Sequence, residues 1–227
     1  QAMAPGAVER LLDPGRLDEL ARTTADGTAR DGRPPAADDA DTVYLATADA
    51  SGLLVSLIES NYRGFGSGLV DPQTGVSYQN RGAQFSLDRG HVNVIAPGKR
   101  TAHTLTPGML LRDGRPWIAH GSMGGAIQPQ VFAQLVSAVV DRGRDIAAAL
   151  AHPRWSLGPA YAGGASGVAL ESRFPSEVVT ELGQLGHAIT LIEPFSSSMG
   201  HAHAIEVAGN GLAAASDPRS EGAALAW

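Results

Sequence analysis

The chain has 227 residues, of which 43% are hydrophobic, so it is long enough to bury a sizeable core as one domain or a large part of one. Its 23 acidic and 17 basic residues give a formal net charge of −6 without any Lys/Arg-rich run, which argues against a nucleic-acid partner. No apolar stretch approaches the roughly 18 residues of a membrane span, and the absence of cysteine excludes disulfides, thiolate metal ligands and a cysteine nucleophile.

The N-terminal 41 residues are predicted to contain two short helical turns followed by a linker. The turns are expected around residues 7–12 and 17–20, with Pro14 between them, where the start of a helix tolerates proline. Residues 22–41 contain no large apolar residue, which is typical of a solvated, flexible linker. This linker either simply connects two parts of the chain or presents a peptide bond for cleavage.

The sequence opens on Gln1 and not on methionine, so we expect that upstream residues belong to the protein. The lack of a visible signal peptide is therefore uninformative. The compartment stays open, with the cytoplasm favoured over the periplasm or secretion.

Two strands are predicted after the linker. Residues 42–49 and 53–59 have β-type sequence, and Ala50-Ser51-Gly52 supplies the turn of a hairpin. A turn centred near Ser51 places Ser60 opposite Thr42, so two hydroxyl groups face each other at the open end of the hairpin. Such a pair is usually structural, but this one lies where the linker ends.

The later elements indicate a mixture of helices and strands. Asp113-Gly114 predicts a second hairpin, and apolar residues recur at helical spacing in a stretch that Gly143 should break or kink. The predicted segments are strands at 108–112, 115–119, 188–193 and 202–207 and a helix at 128–151. This order favours a layered α+β fold or a sandwich with helices outside.

Several motifs occur in the order that they have in γ-glutamyltransferases. They are Asp41-Thr42 before a strand, Gly64-Phe65-Gly66-Ser67-Gly68, Asn80-Arg81-Gly82-Ala83-Gln84-Phe85-Ser86, Pro97-Gly98-Lys99-Arg100, Gly121-Ser122-Met123-Gly124-Gly125 and Pro153-Arg154. The resemblance runs from about Asp41 to Gly158, and more loosely to Asp217-Pro218-Arg219. Each motif alone is weak, but together in register they are specific. The spellings SNYRGFGSG, QNRGAQFSL, HTLTP and SMGGAIQPQ resemble the shorter γ-glutamyltransferase-like branch.

This resemblance implies the αββα sandwich of the N-terminal nucleophile hydrolases, made as a precursor that cuts itself into two subunits. Residues 1–41 would form the C-terminal tail of the large subunit, and residues 42–227 the small, catalytic subunit. The remainder of the large subunit is the expected partner, which would complete the fold and supply an arginine for the substrate carboxylate. No cofactor or metal is expected, and a homodimer of such heterodimers stays open.

The resemblance also assigns catalytic roles to four positions. Thr42 is the implied nucleophile, and a threonine hydroxyl needs a base. Cleavage after Asp41 would free the α-amino group of Thr42, whose ordinary pKa of about 7.7–8 suits a general base. Ser60 falls on the position of a second hydroxyl residue, usually threonine in the family, whose side chain hydrogen-bonds the nucleophile. Gly124 and Gly125 fall on the oxyanion-hole positions.

The implied substrate pocket departs from that of the glutathione-cleaving enzymes. The aspartate that binds the substrate α-ammonium group corresponds to Gln84, which supplies no opposite charge. The paired serines that bind the substrate carboxylate fall on His103 and Thr104. The carboxylate-binding asparagine falls on Tyr62, with Asn61 beside it, and a glutamine of the same pocket falls on Arg81. We therefore expect an intact catalytic centre with altered specificity, in which Arg81 and His103 are candidates to hold an anionic or acyl group.

Other motifs are better explained structurally. His201-Ala202-His203 places two imidazoles on one strand face, but no third ligand is close in sequence, so a metal pair is disfavoured. Gly64-Phe65-Gly66-Ser67-Gly68 lacks dinucleotide-binding spacing. Lys99-Arg100 is expected to stabilise the fold through hydrogen bonds, Ser196-Ser197-Ser198 to form a loop, and Asp217-Pro218-Arg219 to form a turn.

The sequence thus predicts an N-terminal threonine amidohydrolase or acyltransferase that acts on γ-glutamyl or related amides through an acyl-enzyme on Thr42. One alternative is a family member diverted to a non-glutamyl acyl, amide or carbon–carbon bond in a biosynthetic pathway. Another is an unprocessed, inactive homologue that acts as a binding protein.

Overall fold

The computed structural model describes residue 6 and residues 9–10, 12–25, 40–157, 167–209 and 211–227. Within these ranges the labelled elements are α1 (Pro14–Thr24), β1 (Ala40–Ala48), β2 (Leu54–Arg63), β3 (Gly108–Arg112), β4 (Arg115–Ser122), α2 (Gln128–Val140), α3 (Ile146–Ala151), β5 (Trp155–Leu157), β6 (Val168–Glu171), α4 (Ser176–Gln184), β7 (Ile189–Ile192), β8 (Ala202–Ala208) and β9 (Gly211–Ser216). Among them, no helix is both long and apolar enough to cross a membrane.

Strands β1 and β2 form the predicted antiparallel hairpin. Burial alternates along both strands, because successive side chains point to opposite faces of a sheet. The inner face carries Tyr44 and Leu54, both buried, whereas Val43 on the outer face is 64% exposed. The turn is closed by Asp49, whose carboxylate accepts hydrogen bonds from the Ser51 and Leu53 amides.

A four-stranded sheet in the order β3-β4-β8-β9 forms the centre of the molecule. Every residue of β4 from Trp117 to Ser122 is buried, because the β1–β2 hairpin covers one side of this sheet and α2 and α3 cover the other. Asp113 and Gly114 form the predicted tight turn between β3 and β4, and both have positive φ, 51° and 74°. Such φ values are typical of the turns that match strand twist.

A third sheet, in the order β5-β6-β7, was not predicted as such. Its strands β6 and β7 run parallel, with α4 as the connection between them. Of the elements of this third sheet, the sequence predicted only β7 and missed β5, β6 and the connecting helix α4. It also missed β9, the edge strand of the central sheet. Strands β5 and β6 are very short, and β9 (GLAAAS) lacks the β-branched residues that signal a strand.

Several predicted boundaries need correction. The stretch 128–151 forms two helices, α2 and α3, and the expected break at Gly143 is confirmed by its φ of 63°. The second helical turn is longer than predicted, since Pro14 occupies the first turn of α1 and the Asp13 carboxylate caps the Arg16 amide.

The linker prediction over residues 22–41 is wrong at both ends. Residues 22–24 belong to α1, and Ala40 and Asp41 already pair with β2, so the Asp41–Thr42 bond lies within a strand and not before it. The longer pairing arises because β2 extends to Arg63. Residues 26–39 and half of the helical turn predicted at 7–12 (residues 7, 8 and 11) lie outside the described residues.

Candidate active site

The two hydroxyl groups predicted to face each other do so. Thr42 lies opposite Ser60, and its Oγ1 donates a hydrogen bond to Ser60 Oγ at 3.0 Å. The register shifts between Asp41 and Thr42, because Asp41 pairs with Tyr62 and leaves Asn61 as the extra residue of a β-bulge. A bulge bends a strand and re-aims its side chains. The irregularity therefore lies at the Asp41–Thr42 bond.

The Ser60 hydroxyl is fixed from a second direction. Its Oγ accepts a hydrogen bond from the Tyr62 amide at 3.0 Å. Tyr62 itself is 3% exposed and has a φ of 80°, a conformation that is costly for a bulky residue and requires support from its surroundings. The strained backbone of Tyr62 thus brings an amide onto the hydroxyl that contacts Thr42.

A buried cation lies over the ring of Tyr62. Arg81 begins a short 3-10 turn over Arg81–Gln84 and is 5% exposed, and its guanidinium carbon lies 5.2 Å from the Tyr62 ring centroid. The Arg63 guanidinium lies 5.1 Å from the same centroid. Cations at this distance interact favourably with an aromatic ring. Thr42, Ser60, Tyr62 and Arg81 therefore form one contiguous group.

The other predicted pocket residues lie on three different segments: Asn61 in β2, Gln84 in the 3-10 turn, and His103 and Thr104 in the loop before β3. Gln84 is half-buried at the end of the 3-10 turn, and half-buried Asn61 accepts the Asn80 amide through its carbonyl at 3.1 Å. His103 is exposed, with its Nδ1 accepting the Leu105 amide at 3.2 Å, and Thr104 is half-buried.

The loop that carries His103 and Thr104 is tied to the start of α2. Thr106 Oγ1 donates to Gln128 Oε1 at 2.7 Å. Gln128 is fully buried and is the first residue of that helix. The predicted pocket loop is thereby linked to the segment that follows the glycine pair.

The glycine pair has a backbone that suits an oxyanion hole. Gly124 and Gly125 have φ values of 125° and 55°, which side chains rarely adopt, and a Cβ on Gly124 would lie 2.8 Å from Ile127 Cγ1. Within the described ranges, neither glycine amide N–H has a hydrogen-bond acceptor in the protein. Helix α2 begins at Gln128, so its N-terminal partial positive charge adds to the field there.

The hairpin that carries Thr42 packs directly against β4, the strand that precedes the glycine pair. Ser56 Oγ donates to the His120 carbonyl at 3.1 Å, and the Tyr44 ring lies on Gly121, where a Cβ would be 2.2 Å from a ring carbon. Burial raises the pKa of Tyr44 to about 12. The strand that carries Thr42 and its partner strand therefore both pack on the part of β4 that leads to the glycine pair.

A buried ionic network supports the glycine loop from behind, and sequence reasoning missed it. Arg154 donates through Nη1 to the Met199 and Gly200 carbonyls, at 3.1 and 3.0 Å. Its Nη2 lies 2.6 Å from Asp217 Oδ2. The 199–201 segment in turn accepts the Met123 amide through the His201 carbonyl at 3.2 Å. Burial lowers the pKa of Arg154 to about 10, although the Asp217 charge opposes this.

The second half of the network joins Asp217 to Glu171 through Arg219. The Arg219 guanidinium bonds both Glu171 carboxylate oxygens at 2.7 Å and Asp217 Oδ1 at 3.1 Å. Burial alone would raise the pKa of Glu171, but the hydrogen bonds and charge of Arg219, followed by the Arg173 hydrogen bond, lower it. The Asp217-Pro218-Arg219 turn is confirmed by the Ser220 amide bond to the Asp217 carbonyl. The side chains of Asp217 and Arg219 are buried, however, which a surface turn would not predict. The only sequence feature that could have indicated this network is that Arg154, Asp217 and Arg219 belong to the ordered series of family motifs.

The two histidines of His201-Ala202-His203 are integrated into the fold. His203 Nδ1 accepts the Asp217 amide at 3.2 Å, and its ring stacks on Tyr44 at a centroid distance of 6.3 Å. Burial lowers the pKa of both histidines. The described residues contain no cluster of three His, Cys, Asp or Glu side chains that could hold a metal ion. Lys99 Nζ donates to the Val92 carbonyl at 2.6 Å, which agrees with its predicted structural role.

The layered fold is that of the N-terminal nucleophile hydrolases, as comparison with solved structures shows. A cephalosporin acylase from Bacillus halodurans matches with a TM-score of 0.75 and 38% identity, over 92% of this chain and 38% of that one. A gamma-glutamyltranspeptidase from Pseudomonas nitroreducens matches with a TM-score of 0.66 and 26% identity, over 81% of this chain and 98% of that one. The predicted α+β fold class is confirmed.

The family assignment follows from the sequence of the whole chain. Residues 1–227 match the family model named Gamma-glutamyltranspeptidase, and the chain belongs to this family. An oxamate amidohydrolase proenzyme from Klebsiella pneumoniae subsp. pneumoniae is 43% identical over 225 residues, which are 97% of this chain. This chain spans 42% of the length of that relative. The predicted family resemblance is confirmed.

Proposed function

We propose that this chain holds the catalytic unit of an N-terminal threonine amidohydrolase with Thr42 as the nucleophile. The observation that carries the proposal is the 3.0 Å hydrogen bond from Thr42 Oγ1 to Ser60 Oγ, at a β-bulge that coincides with the Asp41–Thr42 bond. A relative of this chain is named a proenzyme, which agrees with activation by cleavage.

Maturation would use the same hydroxyl as turnover. Thr42 Oγ1 attacks the Asp41 carbonyl carbon and the peptide C–N bond breaks. The proton of the Thr42 hydroxyl passes to the released Thr42 amine. Water then hydrolyses the resulting ester, leaving a carboxylate on Asp41 and the hydroxyl on Thr42. Ser60, fixed by the Tyr62 amide, orients the attacking oxygen.

This step would separate residues 1–41, the tail of the large subunit, from residues 42–227, the small subunit. In support, a gamma-glutamyltranspeptidase chain is matched over 98% of its length by 81% of this chain, which is about the share that residues 42–227 represent. The expected partner is the remainder of the large subunit. The surface of this chain that would contact the large subunit includes the outer face of the hairpin, where Val43 is 64% exposed.

In turnover the freed α-amino group of Thr42 accepts the proton of its own hydroxyl while the oxygen attacks the substrate carbonyl. The Gly124 and Gly125 amides stabilise the oxyanion of the tetrahedral intermediate. The leaving amine departs with a proton from the Thr42 ammonium group and leaves an acyl ester on Thr42. Water, or an amine acceptor in the transfer reaction, then releases the acyl group.

The substrate that this site favours is a short amide with a carboxylate close to the scissile carbonyl. Arg81 is a buried cation that shares Tyr62 with the nucleophile pair, and it can bind such a carboxylate with charge-assisted hydrogen bonds. Gln84 offers no charge to a substrate ammonium group. The name of the Klebsiella relative, an oxamate amidohydrolase, agrees with a short acidic amide. γ-Glutamyl amides and other acyl groups are the alternatives that the test separates.

The test combines processing and activity in the complete protein. Thr42→Ala should abolish both the fragment that begins at Thr42, seen by intact-mass spectrometry, and ammonia release from oxamate, because both need the hydroxyl. Thr42→Ser should keep part of each. Cleavage in the alanine variant would refute self-processing through Thr42. Faster turnover of γ-glutamyl-p-nitroanilide than of oxamate would refute the short-acid substrate, and an uncut, inactive wild type would favour a binding protein.

A further inference from the structure

Asn93 joins the two loops that carry the candidate pocket residues, although it belongs to none of the motifs assigned a role above. It is 6% exposed. On one side its Nδ2 donates to the Gln84 carbonyl at 2.8 Å. On the other side the same group donates to Thr101 Oγ1 at 3.2 Å, and its Oδ1 accepts the Ala102 amide at 3.0 Å.

These bonds also determine which way the amide group points. A flipped amide would place an NH₂ group against the Ala102 N–H and a carbonyl oxygen against the Gln84 carbonyl, so both contacts would become repulsive. In the observed orientation both N–H groups and the oxygen of the side chain are satisfied. A buried amide with all its polar atoms engaged holds its partners at set distances.

The backbone of Asn93 adds a second connection to the segment that contains Gln84. The Ser86 amide donates to the Asn93 carbonyl at 2.9 Å, and the Ile95 amide donates to the Ser86 carbonyl at 3.1 Å. Residues 84–86 are thereby held against residues 93–95. The side chain of Asn93 then extends this rigid pair to the 101–102 segment, directly before His103 and Thr104.

We propose that Asn93 is a positioning residue that sets the separation of two walls of the acyl pocket. One wall is the Arg81–Gln84 turn, and the other is the Ala102–Thr104 segment. This inference rests on the proposed function, because it takes those two segments as the walls that surround the acyl group. Asn93 would touch neither the nucleophile nor the substrate, so it would govern which acyl group fits and leave the chemical step unchanged.

The experiment compares wild type, Asn93→Ala and Asn93→Asp in the complete protein. Asn93→Ala removes all three side-chain bonds, so we expect KM for oxamate to rise about tenfold while kcat changes less than about threefold. The preference for oxamate over γ-glutamyl-p-nitroanilide should fall. Asn93→Asp keeps the size and the Ala102 acceptor but sets a carboxylate oxygen against the Gln84 carbonyl, and it carries the test if the alanine variant fails to fold.

Gln134 supplies a matched control. Its amide also makes three bonds between two elements, to the Gln130 and Trp155 carbonyls at 2.9 Å each and from the Trp155 amide at 3.1 Å. These bonds join α2 to β5 and lie outside the proposed pocket. Gln134→Ala should lower the Tm to a similar extent but leave KM unchanged.

Hydrogen exchange gives a readout that does not depend on catalysis. In Asn93→Ala the Ala102 amide should exchange about tenfold faster or more, because its acceptor is gone. Unchanged exchange would overturn the proposal, as would a loss confined to kcat or an equal rise of KM in Gln134→Ala. An inactive wild type would refute the proposed function instead, and the exchange rate would then decide alone whether Asn93 ties the two segments together.

Discussion

Gln84 falls where the glutathione-cleaving relatives are expected to carry an aspartate, and this one difference would change the charge of the proposed pocket. A carboxylate there would pair with the α-ammonium group of a γ-glutamyl substrate. A hydrogen bond to a charged group contributes about 1.5–3 kcal/mol, whereas one between neutral groups contributes about 0.5–1.5 kcal/mol. The half-buried place of Gln84 makes the difference larger than it would be in open solvent.

We therefore expect Gln84→Asp to raise kcat/KM for γ-glutamyl-p-nitroanilide about tenfold from a low wild-type value. The measurement is steady-state release of p-nitroaniline. Gln73→Asp makes the same change at an exposed position and should have no effect. Robust wild-type activity that falls in Gln84→Asp would show that the pocket already binds glutamate by other groups.

At the scale of elements, the sequence was most informative where local rules decide the structure. The alternating pattern around Ala50-Ser51-Gly52 predicted not only the hairpin but also the pairing of Thr42 with Ser60, since turn position fixes register. The bulge at Asn61 was not predictable, because it depends on how β2 continues to Arg63. Strands as short as β5 and β6 are stabilised by their neighbours and leave almost no pattern of their own.

The site divides in the same way. Motifs and spacing predicted Thr42, Ser60 and the glycine pair as catalytic positions, whereas they gave no indication of Asn93 or of the Arg154 network. The partners of Arg154 are far away along the chain, since it contacts Met199, Gly200 and Asp217, whereas those of Asn93 lie within nine residues but in loops without a regular pattern. Long-range contacts between charged or amide groups have no periodic signature, so only the folded chain shows them.

The network should link stability to activity. Arg154→Met leaves Asp217 buried with one cation fewer and frees two carbonyls, and breaking a buried ion pair costs about 3–5 kcal/mol. For a chain of this size that corresponds to a fall in Tm of about 10 °C. Since the 199–201 segment holds the Met123 amide beside the glycine pair, processing at Asp41–Thr42 should slow as well.

Arg144→Met, which removes a charge from an exposed side chain, should change neither quantity. Calorimetry and intact-mass spectrometry of the two variants provide the comparison. A processing rate equal to that of wild type in Arg154→Met, measured below its Tm, would show that the network supports the fold but not the oxyanion site.

At the scale of the whole molecule, buried ionisable groups predict how stability depends on pH. His120 is buried and His201 and His203 are half-buried, and burial is the main cause that lowers the pKa of each below the ordinary 6.5. As the pH falls through about 6.5, the unfolded chain binds protons that the folded chain resists, so stability decreases. Glu171 acts in a lower range, because its pKa is also lowered and its contribution is lost as the pH falls below about 4.5.

We therefore expect the Tm to be nearly constant above pH 7, to fall from about pH 6.5 downwards, and to fall more steeply below about pH 4.5. His120→Asn should reduce the first decline, because His120 is buried against Phe132 and its pKa is lowered by burial alone. The measurement is the Tm between pH 8 and pH 4 in buffers of equal ionic strength. A flat curve between pH 8 and pH 5 would mean that the three inner histidines accept protons in the folded chain as readily as in the unfolded one.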